Sequence, residues 1–170
     1  HWMSEEIDKG SIIANAARTI SNDDDYMTLL EKGLQEGAYL LKELFSIDIE
    51  NWPLIDEIPD SIITSPKKEV DGIIDWYKDA SEIVRICKAL GWRDWVKAYI
   101  GEEEIVVRKS KLVLDDKPNK PGTVIQLNPN LIVRCGRNSI EITEALIPRE
   151  LILGEVLGIN KTDVKQKTKR

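Results

Sequence analysis

The sequence is poor in the side chains that metal and nucleophile chemistry need. It holds one histidine, His1, and two cysteines, Cys87 and Cys135, far apart in the chain. That supply gives no cysteine or histidine pair at zinc-site spacing and no histidine near a serine nucleophile. No metal site is expected. Two isolated thiols read as reduced, partly buried side chains of a cytoplasmic protein. No apolar run approaches the ~20 residues that span a bilayer, and no basic-apolar-small leader pattern is present. A membrane-spanning segment is therefore not expected.

What the chain does have is a divided charge. Residues 1–65 carry a net charge of −10 and residues 66–170 a net +4, which gives the overall −6. Such a split suggests two units, the second tolerating an anionic partner. The tail KTDVKQKTKR supplies much of the positive excess, so a merely solvated surface explains it equally well.

Residues 1–20 read as two extended segments around the turn SEEIDKG. Ser21 or Asn22 then caps a helix whose first turn holds Asp23, Asp24 and Asp25, where carboxylates meet the positive end of the helix dipole. Tyr26, Leu30, Gly33, Gly37, Leu41 and Leu44 follow at helical spacing. Two glycines on one stripe cost roughly 1 kcal/mol each against alanine, which predicts another backbone pressed close to them. Residues 46–72, broken by Pro53, Pro59 and Pro66, read as a linker with Trp52 and Ile55 as anchors. Asp79 and Glu82 form a capping-box pair for a second helix with the stripe Ile83, Ile86, Cys87 and Leu90, ending at Gly91. Beyond Trp95 the period changes. VKAYI and EIVVRKSKLVL form a hairpin, and TVIQL, LIVRC and SIEITEAL are short strands of a small barrel or sandwich. PRELILGEVLG fits a short helix entered at Pro148.

Three stretches, in this order, resemble the formyltetrahydrofolate-dependent formyltransferases, in particular the methionyl-tRNA formyltransferase type. MSEEIDKGSII is similar to the family's Met-Asp-Glu-Gly-Ile-Asp-Thr-Gly-Pro-Ile segment. IIDWYKDASEIVRICKAL is similar to its Ile-Asp-Trp segment and following helix. KPGTVIQLNPNLIVRCGRNSIEITEAL is similar to the Pro-Gly-Thr-Val strand and the strands of its small C-terminal barrel. The resemblance implies an α/β fold in pieces. Residues 1–46 are the tail of a Rossmann-type catalytic domain, a strand hairpin and a helix. Residues 47–72 are a linker. Residues 73–160 are an OB-like C-terminal β-barrel with flanking helices, and 161–170 are a disordered basic tail. The catalytic Asn and His and a Ser-Leu-Leu-Pro loop are expected upstream of His1, or another chain covers residues 1–20.

The family's reaction moves a formyl group from 10-formyltetrahydrofolate to an amine. Attack on the formyl carbon gives an oxyanion that must be held, and the amine must lose a proton. By resemblance Asp8 matches the Asp that keeps the catalytic imidazole charged. On local sequence alone it is a turn residue ahead of glycine. Ser4, Glu5, Glu6 and Ile7 match the loop lining the folate ring. Gly10 matches a tight turn past the pterin, and His1 matches a position occupied by histidine in some relatives. Lys9 stands where the family has Thr, and Ser4 where it has Asp.

The acceptor follows from the second half of the chain. Arg108, Lys109, Lys111, Arg134 and Arg137 are the candidate acceptor-binding cations, or else ordinary surface charge. Methionyl-tRNA is the first acceptor expected and a nucleotide-linked amino sugar the second. ALIPRELI replaces the family's Gly-Lys-Lys-x-Met run, which removes basic residues that would meet tRNA phosphates. A non-catalytic binding module is the reading from a different class. Trp76, Trp92 and Trp95 read as packing for a small core.

Overall fold

The structure is a computed structural model that describes residues 1–5, 10–55 and 69–158, with the side chains of Glu69 and Val70 left out. It divides at Pro66/Lys67 into two compact units. The expected Rossmann tail and barrel fall on either side of that division. Much of the linker and the whole 161–170 tail lie outside the described residues.

The first unit is built around one helix, α1 (Tyr26–Leu44). Its cap is Asp25, not Ser21 or Asn22: Asp25 accepts from Thr28 N–H at 2.9 Å, and Thr28 Oγ1 accepts from Asp25 N–H at 2.8 Å. The reason is the turn before it. Asp24 folds back to accept from Ser21 N–H at 2.8 Å and from Lys32 Nζ at 2.6 Å, so 21–24 form a turn and the helix starts later. Asp23 to Asp25 thus precede the helix and leave no acid in its first turn. No residue of α1 is buried; Leu34 is 67% exposed and Phe45, just past its end, 75%. A Cβ on Gly33 or Gly37 would meet nothing within 4 Å, so the expected close backbone is not found among the described residues.

Among the described residues of 1–20 the expected pair of strands is absent. Ile12 makes an isolated antiparallel bridge to Ile55, with hydrogen bonds of 3.2 and 2.9 Å, and 14–20 are irregular. A strand needs a partner along its length, and among the described residues here the pairing is confined to the Ile12 bridge and one Trp2–Ser11 hydrogen bond. Trp52 is the anchor predicted for it: its indole N–H donates to Leu44 O at 3.0 Å, and its ring lies 5.8 Å from Trp2 and 6.0 Å from Phe45.

In the second unit the expected helix and strands appear. Helix α2 (Ala80–Leu90) is capped by Asp79, which accepts from Ser81 N–H at 2.8 Å. Glu82 pairs with Lys78 at 3.2 Å rather than completing a capping box. Ala80, Ile83, Val84, Cys87 and Leu90 make its buried face, spaced for one side of a helix. Strands β1 (Lys97–Ile100), β2 (Glu103–Val113), β3 (Val124–Gln126), β4 (Leu131–Arg134) and β5 (Ser139–Leu146) form one antiparallel sheet in the order β1-β2-β5-β4-β3. One face carries Ala98, Ile105, Val107, Val124, Val133 and Ile140, all fully buried, and α2 packs on it with Trp76. Both ends of α2 touch sheet-side backbone. A Cβ on Gly91 would lie 2.1 Å from Arg108 O, and one on Gly136 would lie 1.9 Å from Tyr77 O, just before the helix. Only glycine permits such approaches.

The predicted C-terminal helix over PRELILGEVLG is absent. The chain turns at 153–154 and its last described residues close the barrel. Val156 bridges Thr123 beside β3, and Gly158 bridges Tyr99 in β1, so 154–158 fill the gap between the two sheet edges. Unpaired edge groups of β1 and β3 offer more hydrogen bonds than a short helix beginning at a proline would make for itself. The Arg149 side chain secures the turn, pairing with Glu103 at 2.9 Å and with Glu155.

Candidate functional site

The family-like loop of the first unit is closed at its neck. Trp2 N–H donates to Ser11 O at 2.9 Å, and Gly10 is buried against that crossing. A Cβ on Gly10 would overlap Trp2 O at 1.6 Å and stand 3.3 Å from His1 Nδ1. The structure therefore brings His1 and Gly10 together, and Gly10 serves the neck itself. Ser4 and Glu5 are exposed on the loop. Glu6, Ile7 and Asp8 lie outside the described residues. Trp2 Nε1 is buried with no hydrogen-bond partner among the described residues.

Among the described residues of the first unit, the most perturbed carboxylate is Asp24. The hydrogen bond from Lys32, helped by Ser21 N–H, brings its pKa down to about 2. A shifted pKa flags sites and structural networks alike. Here Asp24 is tied to its own helix start, since Thr28 Oγ1 also donates to it at 3.3 Å. It organises the approach to α1.

The five candidate acceptor-binding cations fall into two groups. Arg108 and Lys109 stand mid-β2. Arg108 makes a two-point pair with Asp94, at 2.6 and 3.0 Å, and approaches Glu144 at 3.7 Å; Lys109 reaches Glu144 at 3.3 Å. That fork holds Asp94 below the usual carboxylate range and raises Arg108. Lys111 is exposed and stands opposite Glu141 in the register.

Arg134 and Arg137 belong to the far end, where Arg134 pairs in register with Ser139 and Ser139 with Val113. Arg108 and Val113 are five residues apart in β2, about 17 Å at ~3.3 Å per residue. Arg134 is buried. It donates from Nε to Lys117 O at 2.8 Å and from Nη1 to Asn138 O, and pairs with Asp115 at 3.4 Å. Its guanidinium holds the loop after β2 against the β4–β5 turn. Arg137, 82% exposed, pairs with Asp79 at 3.4 Å.

Two features escaped the sequence reading. Arg93 lies over Trp92 and Trp95, 4.5 and 4.7 Å from the ring centroids, a cation–π arrangement that the WRDW spelling signals weakly. Arg149 as a clasp carries no local signal, because its partner Glu103 is far away in sequence. Trp76 packs in the core as expected. The thiols of Cys87 and Cys135 are pushed up by burial, to about 11 and about 12, and are unreactive as nucleophiles. Among the described residues no group of His, Cys, Asp or Glu is placed to hold a metal ion, and no helix is long and apolar enough to cross a membrane.

Residues 67–152 match the family model of the formyl transferase C-terminal domain, about half of the chain, with α2 and every strand inside the match. The chain belongs to the formyltransferase family. A curated relative, the bifunctional polymyxin resistance protein ArnA of Wigglesworthia glossinidia brevipalpis, is 31% identical over 151 residues. That alignment covers 85% of this chain and 22% of ArnA, so the chain spans about a fifth of the length of that curated relative. The ArnA alignment is longer than the family match and so includes sequence outside the C-terminal domain.

Proposed function

We propose that this chain is part of an enzyme that moves a formyl group from 10-formyltetrahydrofolate to the amine of a nucleotide-linked amino sugar. The amine nitrogen attacks the formyl carbon, the carbonyl oxygen takes the negative charge, and collapse expels N10 of the folate. The amine proton leaves through a base and N10 receives one. Asp8 acts by keeping a neighbouring imidazole cationic, and that imidazole comes from outside this chain. Asp8 cannot hold the oxyanion itself, because like charges repel. Ser4, Glu5, Glu6 and Ile7 serve the folate ring in this reading.

The choice of acceptor rests on one observation. Arg108, Lys109, Arg134 and Arg137 each already have a carboxylate partner, at 2.6, 3.3, 3.4 and 3.4 Å. Binding of a tRNA backbone draws on cations free to replace counterions, and these are neutralised within the fold. The matched relative is named for polymyxin resistance, not for tRNA. Methionyl-tRNA is the second reading, favoured by the exposed Lys111 on the barrel. A purely binding role for the C-terminal barrel is the third.

An assay of the full-length enzyme with both acceptor classes tests the choice. Formylation of the amino sugar with weak, salt-insensitive tRNA binding is expected; a tRNA affinity falling steeply with salt overturns it. Asp8→Asn in the full enzyme is expected to lower kcat by about 10² or more, as loss of a charge partner of an acid–base group does. Near-normal kcat returns Asp8 to a turn residue. The 170-residue chain alone is expected to show no formyl transfer, and turnover above the protein-free rate refutes that.

A further inference from the structure

Either acceptor class brings phosphate groups, yet four of the five cations first expected to meet them are paired within the fold. The corner between α2 and β1 holds a cation in the opposite state. Arg93 is exposed, and among the described residues its guanidinium has neither a carboxylate nor a carbonyl partner. Its contacts are with the faces of Trp92 and Trp95, at 4.5 and 4.7 Å from the ring centroids. A contact with a ring face uses none of the five N–H donors of a guanidinium. The fork that matches two oxygens of one anion is left unspent.

The corner is built to hold that arrangement. Gly91–Arg93 form one tight helical turn, closed by Asp94 N–H donating to Gly91 O at 3.0 Å. Asp94 then takes the left-handed conformation, with φ 58°, and the chain reverses so that two tryptophans three residues apart reach one guanidinium. That conformation is uncommon for a residue with a Cβ and lasts where its surroundings fix it. Here Arg108 grips the Asp94 carboxylate at two points, 2.6 and 3.0 Å, and its carbonyl abuts Gly91. The same grip neutralises the acid next to Arg93 in sequence, so Arg93 is not quenched by its neighbour.

Arg85 is the comparison within the same unit. It is exposed on α2, and among the described residues it has no carboxylate partner and no ring against it. A loose arginine gives up side-chain freedom when it takes an anion, whereas a braced one has given it up on folding. We propose that Arg93, braced by Trp92 and Trp95, is a phosphate-binding residue of the second unit and takes a phosphate group of the formyl acceptor. That the anion belongs to the acceptor rests on the proposed function; the anion site itself does not.

Inorganic pyrophosphate is the first probe, titrated into the intact chain at fixed ionic strength and followed by proton–nitrogen NMR. Saturable shifts are expected at the Arg93 Nε–H and at the indole N–H of Trp92 and Trp95, with the Arg85 Nε–H moving at least about fivefold less. No saturable shift, or an equal one at Arg85, overturns the proposal. The second probe is the acceptor itself, with the full-length enzyme. Arg93→Lys keeps the charge and loses the fork. It is expected to raise KM for the acceptor at least about fivefold while kcat and the KM for 10-formyltetrahydrofolate stay within about twofold, as loss of a pure binding contact does. Arg85→Gln is expected to leave all three unchanged. An unchanged acceptor KM in Arg93→Lys overturns the proposal even where pyrophosphate binds, and so does a fall in kcat alone. The KM is measured with whichever acceptor the enzyme formylates, so the result for Arg93 is separate from the choice between amino sugar and methionyl-tRNA. If Arg93→Lys does not fold, the pyrophosphate shifts of the unmodified chain decide.

Discussion

The two units solve the burial problem in opposite ways. The second encloses its own core: α2 lays five buried side chains on a sheet whose inner residues are fully removed from water. The first has a 19-residue helix with no buried residue; among its described residues Ile13 is buried, and Trp2, Phe45 and Trp52 cluster at the helix end. Helices in water draw most of their stability from a packed apolar face. The comparison teaches that the second unit accounts for its own folding, whereas the described residues of the first leave the stripe of α1 without a cover.

The largest blow to that contrast is Trp76→Ala. It empties the most voluminous fully enclosed position of the second unit, and a loss of about 3–5 kcal/mol in denaturant unfolding of that unit is expected. A loss below about 1 kcal/mol would mean that the core is loosely packed.

Next comes Arg134→Ala. Its side chain and that of Asp115 are 11% and 13% exposed, so removing one partner strands the other, at a cost of about 3 kcal/mol. The same result separates a structural Arg134 from an acceptor-binding one, because the folded variant should bind acceptor with little change.

A smaller effect is expected in the first unit on acidification. Asp24 titrates near 2 when folded, against 3.8 when unpaired. A lowered folded value means stability that is present above 3.8 and lost as pH falls toward 2. The protein should therefore exceed Asp24→Asn in first-unit helicity at neutral pH, with the difference vanishing by about pH 2, followed by circular dichroism. A difference that grows on acidification would sink the assignment.

Smallest of all is Leu34→Ser, on the exposed stripe of α1. In this chain it should shift thermal unfolding by no more than ~0.5 kcal/mol, as surface substitutions do. A shift above about 2 kcal/mol would show that the stripe is already packed, and the contrast between the units would weaken.

The strands and α2 were readable because their signals are local. Ile140 and Ile142 alternate with polar neighbours, and Asp79 caps a helix whose apolar spacing is regular. The start of α1 was misjudged because Ser21 and Asn22 are good caps by residue type, and the helix is started later by Asp24, which accepts from Ser21 N–H and from Lys32, about two turns along. The closing strand could not be read locally. Pro148 and the apolar run after it spell a helix, while the groups that decide otherwise, Tyr99 and Val124, come from two distant strands. Arg134 had the same difficulty: a basic residue in a strand reads as surface until Asp115 and two loop carbonyls enclose it. At the candidate site, the approach of Gly10 to the Trp2 backbone was not legible, because it joins residues on either side of the loop, and the groups that would complete the chemistry are not supplied by this chain's described residues.

The paired glycine contacts at the ends of α2 set a rule for tolerated change. One residue inserted within the helix turns everything after it by about 100° and advances it by ~1.5 Å. Cys87 and Leu90 would swing away from the barrel, and the residue arriving where Gly91 now abuts the Arg108 carbonyl would bring a side chain. Insertions and deletions should therefore be absent between residues 80 and 91 in working homologues, and should accumulate instead in the loop at 115–121.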